Sequence, residues 1–388
     1  MPENQMHTEI MIAGGGMVGA VTACLLAEQG WQVVMIEQTE PEPFTPEQPM
    51  DLRVSAISPA SVRLLQDAGV WPFITTMRIR AYKELATWEI PGLETHFHAH
   101  EADVPELGFI IENRLIQLAC WQKLKGYSNV TILSPAKVQT LHQNNDHVEV
   151  TTDDDTTIVA QWLLATDGAM SRVRTIAGIG ISSFDYEQDC MLINVDLEED
   201  APEITWQQFF PSGPRAFLPL AGKKASLVWY DKPKRIQKLQ AMKPERLAVE
   251  IRQFFPEQLP AFSITGFGSF PLTRRHALKY FQNRVILLGD AAHTIHPLAG
   301  QGVNIGFKDV AALTDLFVEH QQPDLKRLKQ FARMRSRDNQ LMQTTMDLFY
   351  HGFRSQHLPV KLLRNIGLLA AEQGGWIKRK ALRYALGL

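Results

Sequence analysis

An α/β fold, in which a parallel sheet carries an inserted antiparallel sheet and ends in a C-terminal helical region, is predicted by three features of this 388-residue sequence. Thr8–Ala13, Met17–Gln29 and Gln32–Glu37 read as strand, helix and strand within about thirty residues, a βαβ unit. Arg284–Gly289 is a second buried strand that leads to a helix over Gly302–Val318, whose apolar positions share one face. Between these pieces, residues 186–275 alternate polar and apolar positions in aromatic strands such as Trp206–Phe210 and Ser226–Tyr230, separated by Pro/Gly turns. That pattern suits an antiparallel sheet.

The βαβ unit carries Gly14-x-Gly16-x-x-Gly19 at its strand-to-helix turn. Gly14 permits a tight turn, Gly16 lets backbone approach a pyrophosphate, and Gly19 lets helix and strand pack closely. The free N–H groups and positive dipole end of the helix then face the phosphates. Glu37 ends the second strand, where a carboxylate binds ribose hydroxyls and repels a 2′-phosphate. These are the marks of a Rossmann-like dinucleotide domain, and alone they do not separate NAD from FAD.

Asp290 makes that separation. It follows the buried strand at Gly289, and a carboxylate there reaches a ribitol hydroxyl, which FAD has and NAD lacks. Pro297, Gly300 and Gly302 precede the next helix, and bare backbone at Gly300 and Gly302 lets N–H groups face the flavin pyrimidine ring, favouring its reduced anion by about 0.3–1 kcal/mol. A generic strand–loop–helix connection is the alternative at this place. The expected division is a discontinuous FAD-binding domain over 1–80, 108–185 and 278–350, a substrate domain over 81–107 and 186–277, and helices over 351–388.

Composition sets limits. Hydrophobic residues make up 45% of the chain and charged residues 21%, with a net charge of −3, so no basic field suggests nucleic acid as a partner. Cys24, Cys120 and Cys190 form no C-x-x-C pair, and an odd count in a chain without a basic, apolar leader points to the cytoplasm. Ile10–Ala27 is uncharged over eighteen positions, yet four of them are glycine, so strand, turn and helix fit better than a membrane span.

Three further groups stay open to two readings. His96, His98 and His100 alternate along a strand-like stretch, and with no completing ligand they read as a solvated face rather than a metal site. Trp206, Phe209, Phe217 and Trp229 suit either a substrate pocket or plain sheet core. Residues 360–388 hold six bases against Glu372, a net +5 with interleaved apolar residues, which suits either an interfacial helix or one packed on the protein.

The stretch Gly289-Asp290-Ala291-Ala292-His293-Thr294-Ile295-His296-Pro297-Leu298-Ala299-Gly300-Gln301-Gly302-Val303-Asn304-Ile305-Gly306-Phe307-Lys308-Asp309 resembles the signature of the ubiquinone-biosynthesis FAD-dependent hydroxylases. That family belongs to the class A flavin monooxygenases, with a p-hydroxybenzoate hydroxylase-like fold. Asp167-Gly168-Ala169-Met170-Ser171-Arg172-Val173-Arg174 is similar to the Asp-Gly motif of the same class, and Asp51-Leu52-Arg53-Val54-Ser55-Ala56-Ile57 to the stretch whose arginine approaches the flavin. Where many relatives place an FAD-contacting arginine, this chain has Asn113, with Gln117 one turn on.

The resemblance implies that Arg53, Gln117 and Asp167 join the glycines, Glu37 and Asp290 around FAD. It further implies NAD(P)H or another electron donor, dioxygen as co-substrate, and a flavin C4a-hydroperoxide that hydroxylates a polyprenylated quinol. Trp206–Phe209, Pro214–Leu220, Met346–Tyr350 and Tyr384–Leu388 are most similar to members acting on 2-polyprenyl-3-methyl-6-methoxy-1,4-benzoquinol. Hydroxylation at another ring position in the pathway is the alternative, and more distant ones are a halogenase, a prenyl-chain reductase or a non-catalytic prenyl carrier. No catalytic base is singled out; His293 and His296 are candidates, each equally readable as structural. A prenylated substrate implies peripheral contact with the inner face of the membrane, or association with other ubiquinone-biosynthesis proteins.

Overall fold

The computed structural model describes residues 5–296, 302–319, 323–354, 365 and 375–388. Strand β1 (Gln5–Ala13), helix α1 (Met17–Glu28) and strand β2 (Val33–Ile36) form the N-terminal βαβ unit. Helix α1 is buried from Gly19 to Ala27, because it packs against both Asn113–Leu124 and Gly302–Glu319. An all-round apolar helix is what such a position requires. The uncharged run is thus a buried strand and helix, and no helix among the described residues is long and apolar enough to cross a membrane.

Five parallel strands make the centre of the first sheet, in the order Val285–Leu287, Thr157–Ala165, β1, β2 and Val130–Leu133. Their register brings Ala13, Ile36, Ala165 and Leu287 to one end. The glycine turn, the Asp-Gly pair and Asp290 all follow from that end, although about 150 residues separate the first from the second and about 120 the second from the third. Carboxyl ends of parallel strands are where open α/β sheets bind ligands.

The second sheet has eight strands. Its spine is the antiparallel pair Ile181–Leu197 and Phe262–Ala277, continued by Lys224–Asp231, Arg215–Leu220 and Ile204–Gln208. Glu84–Trp88 joins in parallel to Ile204–Gln208, and Thr95–His98 forms the free edge. That strand stops at His98, and His100 lies in the 3-10 turn Ala99–Ala102, so strict alternation does not extend to the third histidine. A smaller three-stranded sheet, Val54–Ile57, Gly108–Glu112 and Ile79–Tyr82, bridges the two large ones.

The second sheet has two unlike faces. One buries Trp206, Phe217, Leu227 and Trp229 under helices Pro233–Gln240 and Pro244–Phe254. The other gathers Cys190, Ala216, Val228, Tyr230 and Leu272 with Tyr350 of the long helix Leu325–Arg354. At the C-terminus, helix Trp376–Leu386 buries Leu382 and Leu386 against Tyr82, Ala102 and Ile110. Lys378 pairs with Glu101 at 2.9 Å and Arg383 donates to the Ala102 carbonyl at 3.0 Å. Two of the six tail bases are therefore turned onto the protein, while Arg379 and Lys380 are exposed and Lys361 and Arg364 lie outside the described residues.

Candidate active site

The glycine turn is shaped by close packing. A Cβ on Gly19 would stand 1.9 Å from the Gly14 carbonyl oxygen, and one on Gly14 (φ +102°) 2.6 Å from the Thr166 carbonyl oxygen. Thr166 Oγ1 donates to the Gly14 carbonyl at 2.7 Å, tying the turn to the neighbouring parallel strand. Gly16 is different in kind. A Cβ there would meet nothing within 4 Å, so the space over the helix N-terminus is clear. Gly16 offers no side-chain cap, which leaves the first N–H groups of α1 facing that space.

Gly15 is held from both sides. Its N–H donates to Glu37 Oε2 at 2.6 Å, and its carbonyl accepts from Gln117 Nε2 and Trp121 Nε1, each at 2.9 Å. Glu37 Oε1 also accepts the Thr39 N–H at 3.0 Å. A carboxylate has about four acceptor positions, so two remain for a ribose diol. Gln117 thus reaches the turn through its backbone. Asn113 instead accepts from Ser55 Oγ at 2.7 Å, and Arg114 pairs with Asp51.

Asp167 lies against the turn, its Cα 2.8 Å from where a Gly14 Cβ would be. Its carboxylate accepts from Ser171 Oγ at 2.5 Å and from the Val173 N–H at 3.0 Å. Those bonds shape the start of helix Arg172–Ile176. Asp290 sits in the short 3-10 turn Gly289–Ala291. It is solvent-accessible, yet desolvation by surrounding protein raises its carboxyl above the usual range, against the opposing pull of His293, Arg53 and Arg275. Asp290 is thus accessible to solvent yet closely surrounded by protein. Arg53 is exposed, lies 4.4 Å from the Phe270 ring, and acts electrostatically on both Asp290 and Cys190. It therefore stands between the two sheets.

A buried polar network braces this region. Gly289 N–H donates to Asp309 Oδ2 at 3.1 Å, and His293 Nε2 bonds to the same oxygen. Arg335 Nε donates to Asp309 Oδ1 at 2.7 Å, and Asn339 links Arg335 to the Tyr280 hydroxyl. Burial raises the Asp309 carboxyl, but His293 and Arg335 more than offset this and hold it below the usual range. His293 is thereby committed to structure. Asp309 ends the signature stretch that begins at Gly289, with no role assigned to it from the sequence, and Arg335 was not singled out; the Gly289–Asp309 bond joins the two ends of that stretch across twenty residues.

His296 is in the opposite situation. It is 1% exposed, and neither ring nitrogen has a hydrogen-bond partner among the described residues. Its ring lies 4.7 Å from Tyr186 and 5.5 Å from Tyr230, and desolvation lowers its pKa to about 4. The imidazole is neutral at pH 7. It borders a small cavity with Gln188, Phe209, Tyr350 and Phe353. Of the four aromatic candidates, Phe209 alone lines this cavity, its ring stacked 3.8 Å from Phe353. Trp206, Phe217 and Trp229 lie at 3%, 0% and 0% exposure in the core on the other face of the sheet. Gly302 opens its helix as expected, and Pro297 and Gly300 fall outside the described residues.

The FAD binding domain family profile matches residues 7–344. The chain belongs to this family. It is 48% identical to the 3-demethoxyubiquinol 3-hydroxylase of Escherichia coli (strain K12), over 98% of this chain and 99% of that one. It is 34% identical to the ubiquinone hydroxylase UbiL of Rhodospirillum rubrum, over 98% of this chain and 89% of the other. Among solved structures, p-nitrophenol 4-monooxygenase PnpA from Pseudomonas putida DLL-E4 shares the fold, with a TM-score of 0.82 at 19% identity over 99% of this chain and 98% of that one. The α/β fold and FAD as cofactor, both expected from the sequence, are therefore borne out. The geometry of this FAD binding domain member fits the group: clear space over Gly16, acceptor capacity at Glu37, and the accessible carboxylate of Asp290 all lie at one end of one sheet.

Proposed function

We propose that the chain is an FAD-dependent hydroxylase of ubiquinone biosynthesis, acting on 2-polyprenyl-3-methyl-6-methoxy-1,4-benzoquinol. The observation that carries this reading is 48% identity along essentially the whole of both chains to a 3-demethoxyubiquinol 3-hydroxylase. In it, Gly14, Gly16, Gly19, Glu37, Arg53, Gln117, Asp167, Asp290 and Gly302 hold FAD, with Pro297 and Gly300 in the segment leading to Gly302. Bound FAD, reduced by NAD(P)H or another donor, supplies the activation of dioxygen.

The protein's own part is orientation, exclusion of water and control of charge. Helix α1 offers N–H groups to the pyrophosphate, and Glu37 and Asp290 serve as acceptors toward opposite ends of the cofactor. Arg53, between Asp290 and Phe270, is placed to balance negative charge on the flavin ring. The quinol ring lies along the face that bears Cys190, Ala216, Val228 and Tyr230, with His296 and the neighbouring tyrosines near its polar edge. The division into cofactor segments 1–80, 108–185 and 278–350 and substrate segments 81–107 and 186–277 follows the same assignment.

The prenyl tail favours peripheral contact at the inner face of the membrane or handover from other ubiquinone-biosynthesis proteins. Exposed Trp376 and Tyr384 beside Arg379 and Lys380 support an interfacial surface on the last helix. The test is mass spectrometry of quinones in cells lacking this protein. The precursor with prenyl tail, ring methyl and one methoxy group should accumulate. A less oxygenated phenol would move the protein to a sister step.

A further inference from the structure

The free edge of the second sheet carries a cluster that the flavin chemistry does not use. Glu84–Trp88 and Thr95–His98 pair antiparallel, with Glu84 directly opposite His98 and Ala86 opposite His96. Directly opposed residues share a face of an antiparallel pair, and diagonal neighbours remain within reach of long side chains. Glu84 is therefore beside both imidazoles. His96 Nδ1 lies 2.6 Å from Glu84 Oε1, and the rings of His96 and His98 stack at 6.1 Å. One ligand atom from each of the three residues lies within 4.8 Å of the other two.

We propose that Glu84, His96 and His98 form a binding site for a divalent transition-metal ion. Two imidazoles and one carboxylate suit Zn²⁺, Ni²⁺ or Cu²⁺, whereas Mg²⁺ and Ca²⁺ prefer sets of oxygen ligands. Three protein ligands on a tetrahedral ion leave one position for water. Access is open: the side chains of His96 and Glu84 are 37% and 30% exposed, and a cavity of about 490 Å³ adjoins Glu84 and His98. Lys83, the nearest cation lining that cavity, is neutralised by Glu203 at 2.7 Å and does not oppose the charge of an ion. A metal at His96 Nδ1 takes the place of the hydrogen bond to Glu84, and the neutral ring then carries its proton on Nε2.

An ion there clips together the two strands of the edge hairpin. It also stands beside the anchor of the last helix, because Glu101 accepts the His98 N–H at 2.9 Å and pairs with Lys378 at the same distance.

Full-length, flavin-loaded protein stripped of metal by chelator and then dialysed should be titrated with Zn²⁺ by calorimetry, and with Cu²⁺ by electron paramagnetic resonance. Saturable uptake of about one ion per chain is expected, with nitrogen coupling in the Cu²⁺ spectrum and an unchanged flavin absorbance. Glu84→Gln and His98→Ala should each cost more than about tenfold in affinity, the loss that even an outer partner of a metal ligand produces. His147→Ala, at an exposed histidine outside the cluster, should bind as the parent does. Absence of saturable binding, or equal binding by the parent and a His96→Ala/His98→Ala double variant, would overturn the proposal.

Discussion

The carboxylate of Glu37 accepts the peptide N–H of Gly15 at 2.6 Å, so the end of β2 is tied directly to the middle of the glycine turn. Glu37 therefore acts on the turn as well as on any ribose it holds. Glu37→Gln keeps an acceptor but removes the charge, and a charge-assisted bond exceeds a neutral one by about 1 kcal/mol. Flavin titration of the apoprotein should show affinity about fivefold to tenfold weaker. Unchanged affinity would separate Glu37 from the cofactor site.

Two glycines of the same motif should fail in different ways. Gly16→Val places a branched side chain in the clear space over the helix N-terminus and should give a folded, colourless protein. Gly19→Val drives a Cβ into the Gly14 carbonyl oxygen and should prevent folding itself. Asp290→Ala should fold and bind FAD about 1–3 kcal/mol more weakly. Circular dichroism with flavin absorbance distinguishes the three outcomes, and a yellow Gly16→Val protein would contradict the assignment.

Asp309 should be a keystone of stability. Asp309→Asn removes the buried counter-charge of Arg335 and leaves it only the exposed Asp338, which costs up to about 3–5 kcal/mol, the loss when a buried pair is broken; urea midpoints measure it. The folded carboxyl is held below its usual range, so its contribution is present above about pH 4, the ordinary carboxylate value, and is lost as pH falls further toward the folded value.

His296 should weaken the protein at a higher pH. Its folded pKa of about 4 lies below the free value of 6.5, so the unfolded chain takes up the proton first. Stability therefore falls as pH drops from 6.5 toward 4, by up to about 3 kcal/mol in all. His296→Leu should flatten the urea midpoint across that window and leave the steeper loss below it in place. An unaltered pH profile would show that the ring is hydrated rather than buried.

Legibility followed range. Gly14, Gly16 and Gly19 were readable because their spacing along six residues is itself the geometry of a turn, and Glu37 because it ends the next strand. Asp290 was readable as a carboxylate at a strand end. Trp121, four residues after Gln117 and bonded to the same carbonyl, had a usable signal in the i, i+4 spacing that places both on one helix face. Asp309 was legible only as the last residue of the signature stretch, and its partner Arg335 not at all, since two helices must pack before they meet. The aromatic strand residues were ambiguous for another reason: strand propensity is the same for either face of a sheet, and the sequence does not say which parity looks at the cleft. Glu84 was hidden from His96 and His98 by hairpin register.

That parity divides labour along a single strand. In Arg215–Leu220, Phe217 opposes Trp206 and belongs to the core under the two covering helices, while its neighbour Ala216 opposes Val228 in the cluster with Tyr186, Tyr230 and Tyr350 on the other face. Adjacent codons therefore answer to separate selective pressures, one for holding the sheet to its covering helices and one for its packing against Tyr350 of the long helix. Deleting a single residue from this strand would exchange the two duties at once, so its length is far less free to evolve than its composition.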